Sequence, residues 1–209
     1  MYLPRSFAES RPDILQKAMR ENGFATVVTA ADGVPFASHV PVLVDGDVAA
    51  GGLKIRGHVA RANPHWKQLA NGSPVLVMFH GPHAYVSPSW YADPQSVPTW
   101  NYAVVHAHGR AALLAPADLR TLLKDLVDAH EGASAQPWRF DSVPAATVDR
   151  LLDAIVGFEI AVERLEGKLK LSQNQTPDDQ RRVRERLATS ADPAARDVAR
   201  WMELLTDRS

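Results

Sequence analysis

Arg56, Gly57, His58, Arg61 and Asn63 place two guanidiniums, an imidazole and a short amide within one predicted passage from strand to helix. In LKIRGHVAR, Leu53, Ile55, Gly57 and Val59 share one face, and Lys54, Arg56 and His58 share the other. Gly57 permits a close backbone approach. Asn63 as a cap and Pro64 as the first helical residue predict free N–H groups and a favourable dipole for an anion. The chemistry on offer is capture of a phosphate-like group. The plainer alternative is that Arg56 and Arg61 are ordinary solvated arginines, and the residues alone leave both readings open.

Two further sets qualify. Lys168, Lys170 and Ser172 alternate on one predicted strand face, next to Gln173 and Asn174. They suit either an anion or an edge strand guarded by lysines against aggregation. Ser87, Trp90, Tyr91, Trp100, Asn101 and Tyr102 combine flat walls with polar edges. Such residues line a planar ligand or pack a subunit interface. The histidines divide into His80 and His83, with two residues between them, His106 and His108 on one strand face, and His58. Without cysteine or a nearby acidic ligand pattern, they read as hydrogen-bonding residues at a polar interface, and no metal site is expected. No residue is assigned a catalytic role.

These groups need a scaffold. The first helix runs from a cap at Ser10 through Pro12 to Asn22-Gly23, with Ile14, Leu15, Ala18 and Met19 as its apolar stripe. FATVVTA and VPFASHVPVLVD flank the turn Asp32-Gly33, a hairpin, and a second turn is expected at Asp45-Gly46-Asp47. PVLVMFHG reads as a central strand covered on both faces, and AYVSPSWY as another strand before a Pro-rich loop ending at Pro98. From Thr99 to Leu113, Trp100, Tyr102, Val104, His106, His108 and Arg110 alternate with small or apolar residues. A leucine-striped helix follows, then VGFEIAVERLEGKLKLS, whose apolar phase shifts from even to odd positions. A bulge or break near Glu166-Gly167 is expected to absorb that shift. Two helices begin at Thr176-Pro177 and Asp192-Pro193. Short antiparallel-looking strands with few helices predict a mainly β fold, a barrel with helices outside. Nothing resembles βαβ winding, and no GxGxxG or Walker-type loop occurs.

Composition narrows the function. The chain has 209 residues, a net charge of −1, 45% hydrophobic residues and no cysteine. Near-neutrality gives no general pull toward nucleic acid or anionic membranes. Absent cysteines exclude disulfides and thiol catalysis. No run approaches a membrane span, and the start does not read as a secretory signal, so a soluble cytoplasmic protein is expected. The basic stretch QRRVRERL, residues 180–187, reads as a solvated helix face with internal ion pairs, and no helix-turn-helix signature stands out.

MYLPRSF, IRGHVARANPHW, FHGPHAYVSPSWY, VPTWNYAVVHAHG and VGFEIAVERLEGKLKLSQN, in that order, resemble the PaiB family. The resemblance implies an antiparallel split β-barrel that binds FMN and acts as a homodimer, related in fold to pyridoxamine-phosphate oxidases. It also implies a role as a negative transcriptional regulator. In related barrels the phosphate sits at a strand-to-helix junction, so Gly57, His58, Arg61 and Asn63 carry over as cofactor residues, with Arg56 beside them. Ser87, Trp100 and Asn101 join them at the ring, and Lys168 and Lys170 at the phosphate or ring, supplied across a dimer. Residues 1–175 form the expected barrel domain and residues 176–209 a helical appendage packed on it. DNA or a regulatory partner protein is the expected macromolecular ligand. An FMN-dependent oxidoreductase acting on a small molecule is the alternative.

Overall fold

The computed structural model describes residues 1–31, 33–93 and 95–206. Asp32 of the first expected turn, Pro94 of the Pro-rich loop and residues 207–209 lie outside that set. In chain order the elements are β1 (Ala8–Glu9), α1 (Pro12–Glu21), β2 (Phe24–Ala31), β3 (Val34–Asp47), β4 (Gly51–Ala60), α2 (His65–Ala70) and β5 (Pro74–Val86). There follow β6 (Thr99–Leu113), α3 (Pro116–Glu131), α4 (Ala145–Leu152), β7 (Ile155–Lys170), α5 (Pro177–Ala188) and α6 (Pro193–Thr206). The seven strands form one sheet in the order β1-β7-β4-β3-β2-β5-β6, and β7 also pairs with β6. The β1–β7, β2–β3, β2–β5, β3–β4 and β4–β7 ladders are all antiparallel.

The chain divides into two compact units: residues 1–21, 80–106 and 166–209 in one, and residues 22–79 and 107–165 in the other. β5, β6 and β7 pass through both. In β5 the buried residues are odd-numbered at Val75, Val77 and Phe79, then even-numbered at Ala84 and Val86. In β7 the buried residues are Val156, Gly157, Phe158 and Ile160, with the apolar side chains at even positions, then odd at Gly167 and Leu169. Side chains on a strand alternate faces, so each change of parity lets one strand serve two cores in turn. The phase change visible in the sequence is thus present in the burial, and β7 is one continuous strand through Glu166-Gly167 as it leaves one unit and enters the other.

In the second unit, Leu119, Leu122 and Leu126 of α3 form a buried stripe against which Leu43, Leu114, Leu152 and Ile155 pack. Gly57 and Gly109 face inward there. A Cβ on Gly57 would stand 2.8 Å from the Phe158 ring, and one on Gly109 would stand 2.0 Å from the Ala161 carbonyl oxygen. In the first unit, α1 buries Ile14, Leu15, Ala18 and Met19. Gly167 admits it, since a Cβ there would meet Leu15 Cδ2 at 2.2 Å.

Three local expectations are corrected. The turn expected at Asp45-Gly46-Asp47 lies at residues 48–50. β3 runs on through Asp47, with a register shift between Asp45 and Asp47 and Gly46 at φ 86°. A bulge absorbs the extra residue, and Gly46 tolerates the left-handed backbone. At α1, the Arg11 carbonyl accepts the Leu15 amide at 3.1 Å, so Arg11 rather than the expected Ser10 stands at the cap position, and Glu9 holds the Ser10 and Arg11 amides ahead of the helix. PVLVMFHG and AYV are one strand, β5, and Ser87 begins a 3-10 turn over Pro88–Trp90.

Candidate functional site

β4 and the turn after it carry the first candidate set. Arg56 donates from Nε to Asp45 at 2.5 Å and from Nη2 to Asp45 and Asp125 at 3.0 and 2.9 Å. Asp45 first, then Asp125, holds this guanidinium firmly protonated. Arg61 donates to the carbonyls of Asp153 and Ile155 at 2.6 and 3.0 Å, and its own carbonyl accepts the Trp66 indole N–H. Both arginines are thus committed to acceptors within the protein. The space beside Gly57 is filled by Phe158 and Val42. His58 differs: its buried Nδ1 has no hydrogen-bond partner, and burial pulls its pKa below the ordinary value. Because Arg56 ties β3 to α3 through two partly exposed carboxylates, Arg56→Met should lower stability by about 1–2 kcal/mol, while flavin affinity stays within about twofold. Urea unfolding and flavin titration of the same variant check both halves.

Asn63 donates from Nδ2 to Ser38 Oγ at 3.0 Å and accepts the His65 amide at 3.0 Å. Asn63 thus holds the first amide of α2, which begins at His65 with Pro64 rather than Asn63 in the cap position. His65 is wholly buried, a residue the sequence reading did not single out. Its Nδ1 lies 2.8 Å from Ser38 Oγ and its Nε2 2.9 Å from Thr29 Oγ1, which donates to the Gln68 carbonyl. With the Thr29 proton given to Gln68, Thr29 can only accept from His65, so the ring carries its proton on Nε2. Ser38, accepting from Asn63, donates to Nδ1. The chain of bonds is complete only with a neutral ring, and burial lowers the His65 pKa accordingly. The separation of His65 and Gln68 by three residues on a helix was the available signal, since it puts both on one face.

The sign of the pH dependence follows. Unfolded histidine protonates near pH 6.5. Folded His58 and His65 take protons only at lower pH, so between their folded values and 6.5 the unfolded chain holds more protons. Stability is expected to be complete above about pH 7 and to fall on acidification through that window, leveling off below the folded values. Urea midpoints between pH 7.5 and 5.0 measure it, and His65→Gln should flatten the curve.

The second set lies on β6 and the end of β7, within the first unit. Lys170 donates to Thr99 Oγ1 at 2.6 Å and to the Trp100 carbonyl at 2.7 Å, with its ammonium 5.6 Å from the Phe7 ring. Lys168 donates to the Tyr2 carbonyl at 3.2 Å and lies 5.5 and 5.4 Å from the Tyr2 and Tyr102 rings. Among the described residues neither ammonium has a carboxylate partner. Burial lowers the Lys170 pKa, and the like charge of Lys168 adds to it. Beside them Trp100, 53% exposed, packs with His83 at 6.1 Å and edge-on with Tyr85 at 6.0 Å between ring centroids. Two unneutralised cations next to an open aromatic face suit a planar ligand with an anionic tail.

Neighbouring candidates are occupied internally. Asn101 is fully buried and donates to Ser172 Oγ at 2.9 Å, and Ser172 is held at φ 67°. Gln173 brackets the same turn, accepting the Leu171 amide and donating to the Leu169 carbonyl. Ser87 Oγ accepts the Ser89 amide and lies 2.8 Å from Ser89 Oγ. Asp179, also missed by the sequence reading, accepts the Ala92 amide and exchanges bonds with Thr176, capping α5 and fastening the loop after β5. On α5, Arg181 pairs with Asp178 and Glu185, and Arg182 with Asp178, the internal ion pairs expected of that helix.

Comparison with known proteins bears on this geometry. Residues 1–164 match a family described as a "putative FMN-binding domain". The chain is 37% identical over 203 residues to the protease synthase and sporulation protein PAI 2 of Bacillus subtilis, covering 97% of each. It is 30% identical over 220 residues to an uncharacterized protein of Emericella nidulans, covering 86% of this chain and 87% of that one. Among solved structures, the flavocytochrome Anf3 from Azotobacter vinelandii aligns with a TM-score of 0.60 at 18% identity, over 80% of this chain and 72% of that one. The FAD and heme binding protein from Mycobacterium smegmatis gives 0.56 at 20%, over 77% and 71%. At these identities the two structures speak for the split-barrel fold. No helix among the described residues is long and apolar enough to cross a membrane. The antiparallel sheet, the family match and the PAI 2 likeness together show that the chain belongs to the PaiB-type family of FMN-binding split-barrel proteins, and that its cofactor is FMN.

Proposed function

We propose that the protein is an FMN-binding, PaiB-like regulator that works in the cytoplasm as a homodimer, with the face formed by Lys168, Lys170 and Trp100 as its flavin surface. One observation carries this assignment: two ammonium groups without carboxylate partners among the described residues lie beside an exposed aromatic cluster. Lys168 and Lys170 would hold the phosphate, and Trp100 and Tyr85 would wall the ring. Bound flavin supplies hydride or electron chemistry, and the chain's own residues supply charge, orientation and cover. In the β4 set, the buried Nδ1 of His58 is left without a hydrogen-bond partner among the described residues.

The exposure of Tyr2 and Trp100, at 84% and 53%, supports coverage by a second copy. A regulatory role draws support from the relative named for protease synthesis and sporulation. Its DNA contact would have to be local, because the net charge of −1 supplies no general attraction. Sedimentation of the flavin-loaded protein, followed by footprinting on DNA flanking its own coding region, tests the reading. A dimer that protects one sequence over random DNA is expected. A monomer, or binding no stronger than to random DNA, overturns the regulator. Bleaching of bound FMN by NADH or NADPH without air would instead support an oxidoreductase.

A further inference from the structure

Beyond the flavin face, the first unit holds a groove of about 400 Å³ whose lining includes α5, α6 and the turn after β7. Leu171, Met202 and Leu205 give it apolar walls, and Gln180, Arg181 and Arg184 line it from α5. The polar groups differ in what they have left to give. Gln180 spends an amide N–H on the Gln175 carbonyl, and Arg181 is paired with Asp178 and Glu185. Arg184 is half-buried and, among the described residues, its side chain has neither a hydrogen bond nor an ion pair. Its guanidinium nitrogens are not buried, since among the described residues the buried side-chain atoms without a partner are His58 Nδ1 and Tyr91 Oη, so its donors are accessible and uncommitted to any protein acceptor.

The larger depression in the second unit offers a contrast. It is lined by Lys54, Arg56, Asp45 and Glu159, and these pair with one another or with Asp125. Its cations are already neutralised, whereas the α5–α6 groove presents a free cation over an apolar wall.

We infer that this groove binds a small organic carboxylate with an apolar body, gripped at its head by Arg184. A planar guanidinium matches a carboxylate through two parallel N–H···O bonds, and Leu171, Met202 and Leu205 would cover the hydrocarbon. The groove lies within the size range of small-molecule sites. The inference does not rest on the flavin assignment, since it uses none of the residues of that face.

Equilibrium dialysis of the full-length, FMN-loaded protein against radiolabelled octanoate tests it, with octanamide as the uncharged competitor. Saturable binding of one octanoate per chain is expected, with octanamide weaker by at least about tenfold. Arg184→Gln should weaken octanoate by a similar factor and erase the preference for acid over amide. Arg200→Gln, at an exposed arginine paired with Asp197 and absent from the groove lining, should change nothing. If Arg184→Gln melts early, Arg184→Lys replaces it; keeping the charge but losing the fork, it should weaken binding several-fold. Absence of saturable binding, equal affinity for octanamide, or indifference to the Arg184 variants overturns the inference. Stoichiometric displacement of octanoate by excess FMN would also overturn it as a separate site.

Discussion

Gly109→Ala is expected to cost about 3 kcal/mol of stability or more, because the new methyl carbon would stand 2.0 Å from the Ala161 carbonyl oxygen. That neighbour is backbone on β7, so no side-chain rotation relieves the contact and the two strands must separate locally. Gly81→Ala offers the graded comparison. Its Cβ would meet Ala103 Cβ at 3.0 Å and the Ala103 carbonyl oxygen at 3.1 Å, a displacement of a few tenths of an ångström that should cost about 1 kcal/mol. Urea unfolding of both variants at one pH ranks them. Equal stability of Gly109→Ala and the parent would mean that this approach of β6 to β7 is wrong.

Lys168→Ala combined with Lys170→Ala should weaken FMN binding by roughly a hundredfold or more, since each charge-assisted contact to phosphate contributes about 1.5–3 kcal/mol. The informative comparison uses riboflavin, which keeps the ring and lacks the phosphate. The parent should prefer FMN, and the double variant should bind both alike. Fluorescence quenching on titration gives the constants. Equal losses for riboflavin and FMN would remove the lysines from the phosphate role, and retention of the preference would send the search back to Arg56 and Arg61. Raising salt should weaken FMN in the parent more than in the variant, because the interaction is one of partly exposed charges.

Much of the fold was legible because it depends on local period. The stripe of α1, the alternation along β6 and the positions of α5 and α6 follow from side chains repeating every 3.6 or 2 residues. Even the phase change in β7 was visible, although its reason, a strand serving two cores, was not. The turn at residues 48–50 was placed early because Asp-Gly is a strong turn signal, and a bulge at Gly46 uses the same permissive backbone.

The candidate site was legible only as an inventory. Sequence by itself determined which residues could meet an anion or a flat ring, and where strands would carry them. Tertiary structure decided what each was already holding: Asp45 and Asp125 for Arg56, the carbonyls of Asp153 and Ile155 for Arg61, Ser172 for Asn101. Those partners lie 11 to 94 residues away along the chain, beyond the reach of any periodicity. A strand's alternation is set by its own backbone, whereas a charge is free or spent according to which acceptor the fold brings within about 3 Å.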